Sequence, residues 1–549
     1  MRSLRSLALG AGAGFLTLAV FVQGFLPAFT PESRDRRVTH AVRNERGEIA
    51  WVWHDAAGYT PREARGRRVY IREGCWYCHS QYVRPVAGEE LRWGPVSEAG
   101  EYHADVPHLL GTRRIGPDLS RVGGKHADGW HYAHHWDPRM VVPDSVMPAT
   151  RWLFHQARLA VHRTGDRLVL ADRATLGRYF TLSPEPQVPL YPTQAGLAFA
   201  DPRGREGPIP GTPVLDLHPF GDTPPAFTEI TLVVPTAELV GLVAYLQKLG
   251  MSRGAWREAF EPQALGVSVM DAPRSPALLG RGRDVYRQRC VGCHGRHGDG
   301  NGPAATFLDP RPRDFTRPVF RLRSTPAGAL PTDGDLFRTI TRGIPGTAMP
   351  PWHELSETDR LAVLDFIKTF APEAWKEPPE PPVVIPEPPP ATAELLARGK
   401  ALYQTAQCWE CHGAEGHGDG PSAAQLATDE GFPIRPTDLT RGSFKGGTRV
   451  RDVFRTLTTG LAGTPMPSFA DALADEERWA LSYFVLSLSA FADPLTGEKL
   501  SLTAATRAAL NGSDAPREAG QAYDPARPGR ELAPERHRYR FGLRGGPRD

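Results

Sequence analysis

The sequence predicts a mainly α-helical chain, with an N-terminal transmembrane helix followed by three small helical units in tandem. Three observations lead there. A Cys-x-x-Cys-His motif occurs three times and uses all six cysteines. Around each copy the same residues recur in the same order, which marks an internal repeat. The chain also opens on a long apolar stretch flanked by arginines.

The apolar stretch runs from about Leu7 to Phe29, after Arg2 and Arg5. About 23 residues at helical rise can cross a hydrocarbon core. The leading arginines hold the N-terminus in the cytoplasm and send the remainder outward. A cleaved signal peptide is the competing reading, but the stretch is long for one and LPAFTPES offers no small-x-small cleavage site. We therefore expect residues 1–30 to be an uncleaved single-pass anchor in the inner membrane, with the rest periplasmic. At 549 residues the chain needs several domains. A net charge of +3 without a basic run gives no footing for nucleic acid.

The motifs are Cys75-Trp-Tyr-Cys78-His79, Cys290-Val-Gly-Cys293-His294 and Cys408-Trp-Glu-Cys411-His412. Two cysteines three apart can form thioethers to haem vinyl groups, and the adjacent histidine can present a ring nitrogen to the iron. With 18 histidines in the chain, His follows a random Cys-x-x-Cys in only about 3 of 100 cases. Zinc and redox-disulfide readings leave that histidine unexplained. Cys75, Cys78, Cys290, Cys293, Cys408 and Cys411 are thus expected to carry three covalently attached haem c groups, with His79, His294 and His412 on the irons.

Before each motif stand a glycine and a tyrosine four residues apart: Gly66 and Tyr70, Gly282 and Tyr286, Gly399 and Tyr403. That spacing puts both on one helical face. After each motif comes a Met-Pro pair, and Met147, Met349 and Met466 are the only three of seven methionines that precede proline. They lie 68, 55 and 54 residues beyond the motif histidine, one at the same place in each repeat; one core-filling methionine could be accident, but three so placed are hard to dismiss. An amphipathic helix then closes each unit, with Tyr245, Phe366 and Tyr483 as its aromatic residues, and Ser356 and Asp359 have capping-box spacing.

The units are expected over residues 31–255, with a Pro/Gly-rich insertion of no clear periodicity at about 152–231, over 275–372, and over 393–492. A semi-rigid Pro-rich linker over 373–392 separates the last two. Residues 493–549 read as an extended or disordered tail.

This order resembles the class I cytochrome c fold, which implies crossing terminal helices and a His/Met iron, with Met147, Met349 and Met466 as the second ligands. GRRVYIREGCWYCHSQYVRP, followed by RRIGPDLSRVGGKHADGWHYAHHWDPRMVVPDSVMPATRWL, resembles the membrane-anchored mono-haem subunit of cbb3-type cytochrome c oxidases. The resemblance covers roughly residues 63–154 and the closing helix near 236–250; the insertion after Trp152 falls outside it. It implies a polytopic haem-copper catalytic subunit as partner, and Pro117 of Gly116-Pro117-Asp118-Leu119 beside His79. The second and third units, with CHGRHGDGNGPAA and CHGAEGHGDGPSAA, are similar to the cytochrome modules of the dihaem subunit of the same oxidases. No second anchor precedes them, so a fusion is expected.

The expected function is electron transfer from a periplasmic cytochrome or quinol-oxidising complex to the oxidase, with no catalytic residue of the chain's own. A nitric oxide reductase partner and a haem peroxidase remain alternatives. His126, His131, His134 and His135 cluster near the first motif, where they could bind a metal, propionates or the partner, or form a solvated polar loop. His297 and His417 could in principle compete for iron.

Overall fold

The computed structural model describes residues 2–22, 36–43, 49–86, 89–164, 167–201, 208–221, 224–257 and 275–489. Its longer helices are α1 (Arg2–Val20), α2 (Pro61–Arg72), α3 (Asp128–Trp136), α4 (Ala237–Lys248), α5 (Pro276–Arg289), α6 (Asp333–Arg342), α7 (Glu357–Lys368), α8 (Ala393–Thr405), α9 (Val450–Thr459) and α10 (Asp475–Ser489). Helix starts follow side-chain capping. Thr60 and Glu63 form a reciprocal box with Pro61 in the first turn, and Ser275, Ser356 and Thr392 each accept the third backbone N–H of their helix.

In each unit the first and last helices cross at the expected glycine. A Cβ on Gly66 would lie 1.8 Å from the Gly241 carbonyl oxygen; on Gly282, 2.0 Å from that of Ala362; on Gly399, 2.1 Å from that of Ala480. The tyrosine one turn on packs an aromatic of the closing helix: Tyr70 on Tyr245 at 5.4 Å, Tyr286 on Phe366 at 5.3 Å, Tyr403 on Phe484 at 5.3 Å between centroids. The third pair corrects the expectation for Tyr483. That side chain faces the other way, and its hydroxyl donates to Pro389 O at 2.7 Å. The Tyr286 and Tyr403 hydroxyls donate to the buried turn carbonyls of Gly295 (2.8 Å) and Gly413 (2.7 Å). Tyr286→Phe and Tyr403→Phe are each expected to lower unfolding free energy by about 1–2 kcal/mol in denaturant titrations, because each leaves a buried carbonyl unpartnered.

The mainly α expectation holds for the helical core of each unit and fails within the first, which also carries β structure. Strands β1 (Arg37–Arg43) and β2 (Ile49–Asp55) form an antiparallel hairpin. Strands β3 (Phe154–Thr164), β4 (Arg167–Leu170), β5 (Gln187–Leu190), β6 (Leu197–Phe199), β7 (Thr212–Leu215) and β8 (Glu229–Pro235) form a six-stranded mixed sheet in the order β5-β7-β4-β3-β8-β6. This sheet is the insertion, and its own core holds Leu159, Phe180, Leu190 and Leu232. β8 is buried on both faces: Ile230, Leu232 and Val234 enter the sheet core, and Val233 enters the core of the first unit. A doubly buried strand shows no alternation to read.

The first two units share one core. Ala304, Phe307, Leu308 and Ala348 of the second belong to the apolar cluster of the first. Phe199 of β6 stacks on Phe307 at 4.5 Å, and Cβ atoms on Gly129 and Gly292 would lie 1.9 and 2.1 Å from the Phe307 and Met140 carbonyls across the junction. The sheet also reaches the third unit, where His218 packs on Phe432 at 4.3 Å and Arg311 of the second unit lies over Phe432. The Pro-rich segment is strapped down rather than acting as a free spacer: Val383 N donates to Ser324 O, and Arg451 pairs with Glu387.

No helix among the described residues is long and apolar enough to cross a membrane. The expected anchor is described only through α1 and Val22, its remainder to Phe29 lies outside the described residues, and the tail over 493–549 also lies outside them.

Candidate haem-binding site

Each motif histidine is fixed by one bond. His79 Nδ1 meets Pro117 O at 2.9 Å, His294 Nδ1 meets Arg313 O at 2.9 Å, and His412 Nδ1 meets Thr437 O at 3.0 Å. A carbonyl can only accept, so Nδ1 carries the proton and Nε2 keeps its lone pair for a metal. Burial lowers the pKa of all three rings, that of His294 to about 4, so they stay neutral. Gly116 is required beside His79, where a Cβ would lie 2.2 Å from Cε1.

Behind His79 stands a charged network. Ser80 Oγ donates to Asp118, and Arg114 donates to Ser80 and, through both terminal nitrogens, to Glu89. Burial raises the Glu89 pKa, but bonds from Arg114 and Arg84 outweigh it and hold the carboxyl at about 2. A depressed folded pKa stabilises above the unfolded value and is lost as pH falls through the folded one. Unfolding free energy is therefore expected to fall from about pH 4.5 toward 2, and Glu89→Gln to flatten that slope in acid denaturation.

The methionine loops share a device that the sequence reading missed. A hydroxyl two residues earlier accepts each methionine N–H: Ser145 for Met147 (3.2 Å), Thr347 for Met349 (3.1 Å), Thr464 for Met466 (3.3 Å). The signal was present as Ser/Thr-x-Met-Pro in all three repeats. In the last two units a turn bond closes the loop, from Ile344 N to Met349 O and from Leu461 N to Met466 O. The first unit departs, with Met147 Sδ lying 3.1 Å from His134 Nε2.

The six cysteines, three histidines and three methionines all line one continuous cavity of about 1580 Å3. The thiols are free. Burial raises the pKa of Cys75, Cys290 and Cys293 to about 12 and of Cys408 to about 11. A redox-active Cys-x-x-Cys pair shows the opposite shift. Among the described residues no group of three or more His, Cys, Asp or Glu has the arrangement of a metal site. Paired thiols, a tautomer-fixed imidazole and a thioether facing an apolar cavity suit a covalently held haem.

The histidine cluster is not a solvated loop. His126 and His134 both stack on the Trp130 indole, at 3.8 and 4.7 Å, while His131 and His135 are buried on α3. Burial lowers His131 to about 3 and His135 to about 4. His297 and His417 are exposed and lie away from the cavity lining, which removes them as competing ligands.

Three family models match in tandem. Residues 49–184 match "Cytochrome C oxidase, mono-heme subunit/FixO", residues 277–367 match "Cytochrome C oxidase, cbb3-type, subunit III", and residues 396–489 match "Cytochrome c". The chain fits a fused mono-haem and multi-haem cbb3-like protein. The first match runs past Trp152 to residue 184, so the opening of the insertion lies inside this cbb3-like pattern. A curated relative, the cbb3-type cytochrome c oxidase subunit CcoP of Azospirillum sp. (strain B510), is 26% identical over 228 residues, covering 40% of this chain and 67% of the relative. A chain of the Kuenenia stuttgartiensis reducing HAO-like protein complex Kustc0457/Kustc0458 is 46% identical, with 38% of this chain and 95% of that one covered and a TM-score of 0.37.

Proposed function

We propose that this chain carries three haem c groups and passes electrons from a periplasmic donor, a cytochrome or a quinol-oxidising complex, to a polytopic haem-copper oxidase subunit. The observation that carries the reading is the single cavity lined by all twelve candidate ligands. When bound, each haem supplies one-electron exchange between ferric and ferrous iron. His79, His294 and His412, their rings locked by backbone carbonyls, would hold the irons, and Met147, Met349 and Met466 would complete the ligand set and exclude water. The polypeptide sets spacing, burial and potential, and reduction of oxygen belongs to the partner. Residues 1–30 anchor the chain in the inner membrane, with the haem units in the periplasm.

Purification of the complex from membranes, with mass spectrometry of the intact chain, tests this. The expected result is a mass increase of three haems and co-purification with an integral haem-copper oxidase subunit. Fewer than three haems, or a nitric oxide reductase as the integral partner, would overturn it.

A further inference from the structure

Arg313 and Arg321 of the second unit and Lys445 of the third are among the cations that line the cavity, together with Arg311, Arg342, Arg435 and Arg441. Arg313 carries the carbonyl that holds His294, and Lys445 acts electrostatically on His412. Arg321 interacts electrostatically with both Arg313 and Lys445. Three carboxylates face this group: Glu430 lies 3.6 Å from Arg313 and also acts on Arg321, Asp314 acts on Arg313, and Asp309 acts on Lys445. Arg321 Nε is buried without a hydrogen-bond partner. Burial, with Arg313 adding to it, pushes the Arg321 pKa down to about 10. A desolvated guanidinium beside two other cations is costly unless an anion completes the site.

We propose that Arg313, Arg321 and Lys445 form one seat shared by the propionate carboxylates of the second and third haems. The inference rests on the three-haem reading. A haem edge supplies two carboxylates, and guanidinium groups bind carboxylates through paired N–H donors. Reduction adds one negative charge to a haem, so a shared cationic seat favours the reduced state of both neighbours.

The test is a spectroelectrochemical titration of the intact purified complex, resolving three midpoint potentials in wild type, Arg321→Gln and Arg321→Lys. One charge at about 10 Å and an effective dielectric of about 20 changes each reduction constant roughly tenfold. For one electron that is about 59 mV. Arg321→Gln is expected to lower the second and third potentials together by this amount and leave the first unmoved, and Arg321→Lys to restore both. A shift in one potential alone, equal shifts in all three, or a lower melting temperature with unmoved potentials would overturn the proposal. So would wild-type potentials that track added phosphate or chloride, which would mean that a free anion occupies the seat. The same samples are weighed: three attached haems with unmoved potentials sink this inference alone, whereas missing haems sink the functional reading beneath it.

Discussion

Replacing Gly282 by alanine is expected to cost the second unit at least ~3 kcal/mol and its cofactor. The added Cβ would lie 2.0 Å from the Ala362 carbonyl oxygen, whereas ordinary contact begins at 3.4 Å, so α5 and α7 must part by about 1.4 Å. Overpacking of a core usually costs about 1–3 kcal/mol. Here the obstacle is backbone and cannot swing aside as a side chain would. Separation of the helices also withdraws Tyr286 from Phe366 and from the Gly295 carbonyl. The expected readout is an intact mass short by one haem, with two units still loaded. Gly66→Ala and Gly399→Ala should each do the same to their own unit, since their collisions are at 1.8 and 2.1 Å. Full haem content in all three variants would mean that the crossings do not hold the units together.

The second large effect concerns the thioethers. Met466→Ala is expected to lower the third midpoint potential on the order of 0.2 V, within the ~0.8 V that axial ligands span. It should also give a high-spin iron, because among the described residues of the third unit no histidine but His412 lines the cavity, His417 being exposed and off it. Met349→Ala should likewise lower the second potential. Met147→Ala has a different expected outcome, because His134 Nε2 already lies 3.1 Å from the sulfur. Nitrogen can replace the thioether there, so the first iron stays low-spin while its potential falls. Electron paramagnetic resonance of the three variants separates these cases, and a low-spin third iron in Met466→Ala would refute the ligand assignment.

Much of each unit was legible because the same structural demands recur three times. Covalent attachment dictates Cys-x-x-Cys-His, close helix approach dictates glycine, and a buried turn carbonyl selects tyrosine one turn later. The hydroxyl before each methionine was equally visible, yet Ser145, Thr347 and Thr464 stand out only once their bonds to the methionine N–H are known. Tyr483 and Phe484 could not be ranked by pattern, since adjacent aromatics on a buried helix both meet apolar surroundings. The sheet was hidden for two reasons. Four of its strands span only three or four residues, and two of these carry proline, Gln187-Val-Pro-Leu190 and Thr212-Pro-Val-Leu215. Its strand β8 is apolar on both faces because it divides two cores. The histidines of α3 read as polar, although stacking on Trp130 and burial make them part of the packing.

The interlocked packing of Phe307 and Met140 against Gly129 and Gly292 leaves no room for a swinging carrier. A tethered shuttle must diffuse, and its turnover slows as the medium thickens. On the three-haem reading, the gap between the first and second haems is fixed by this packing, so the rate across it depends on driving force, reorganisation energy and tunnelling distance. Glycerol or sucrose should leave that step untouched, and any drag they impose on turnover belongs to the arrival of the external donor.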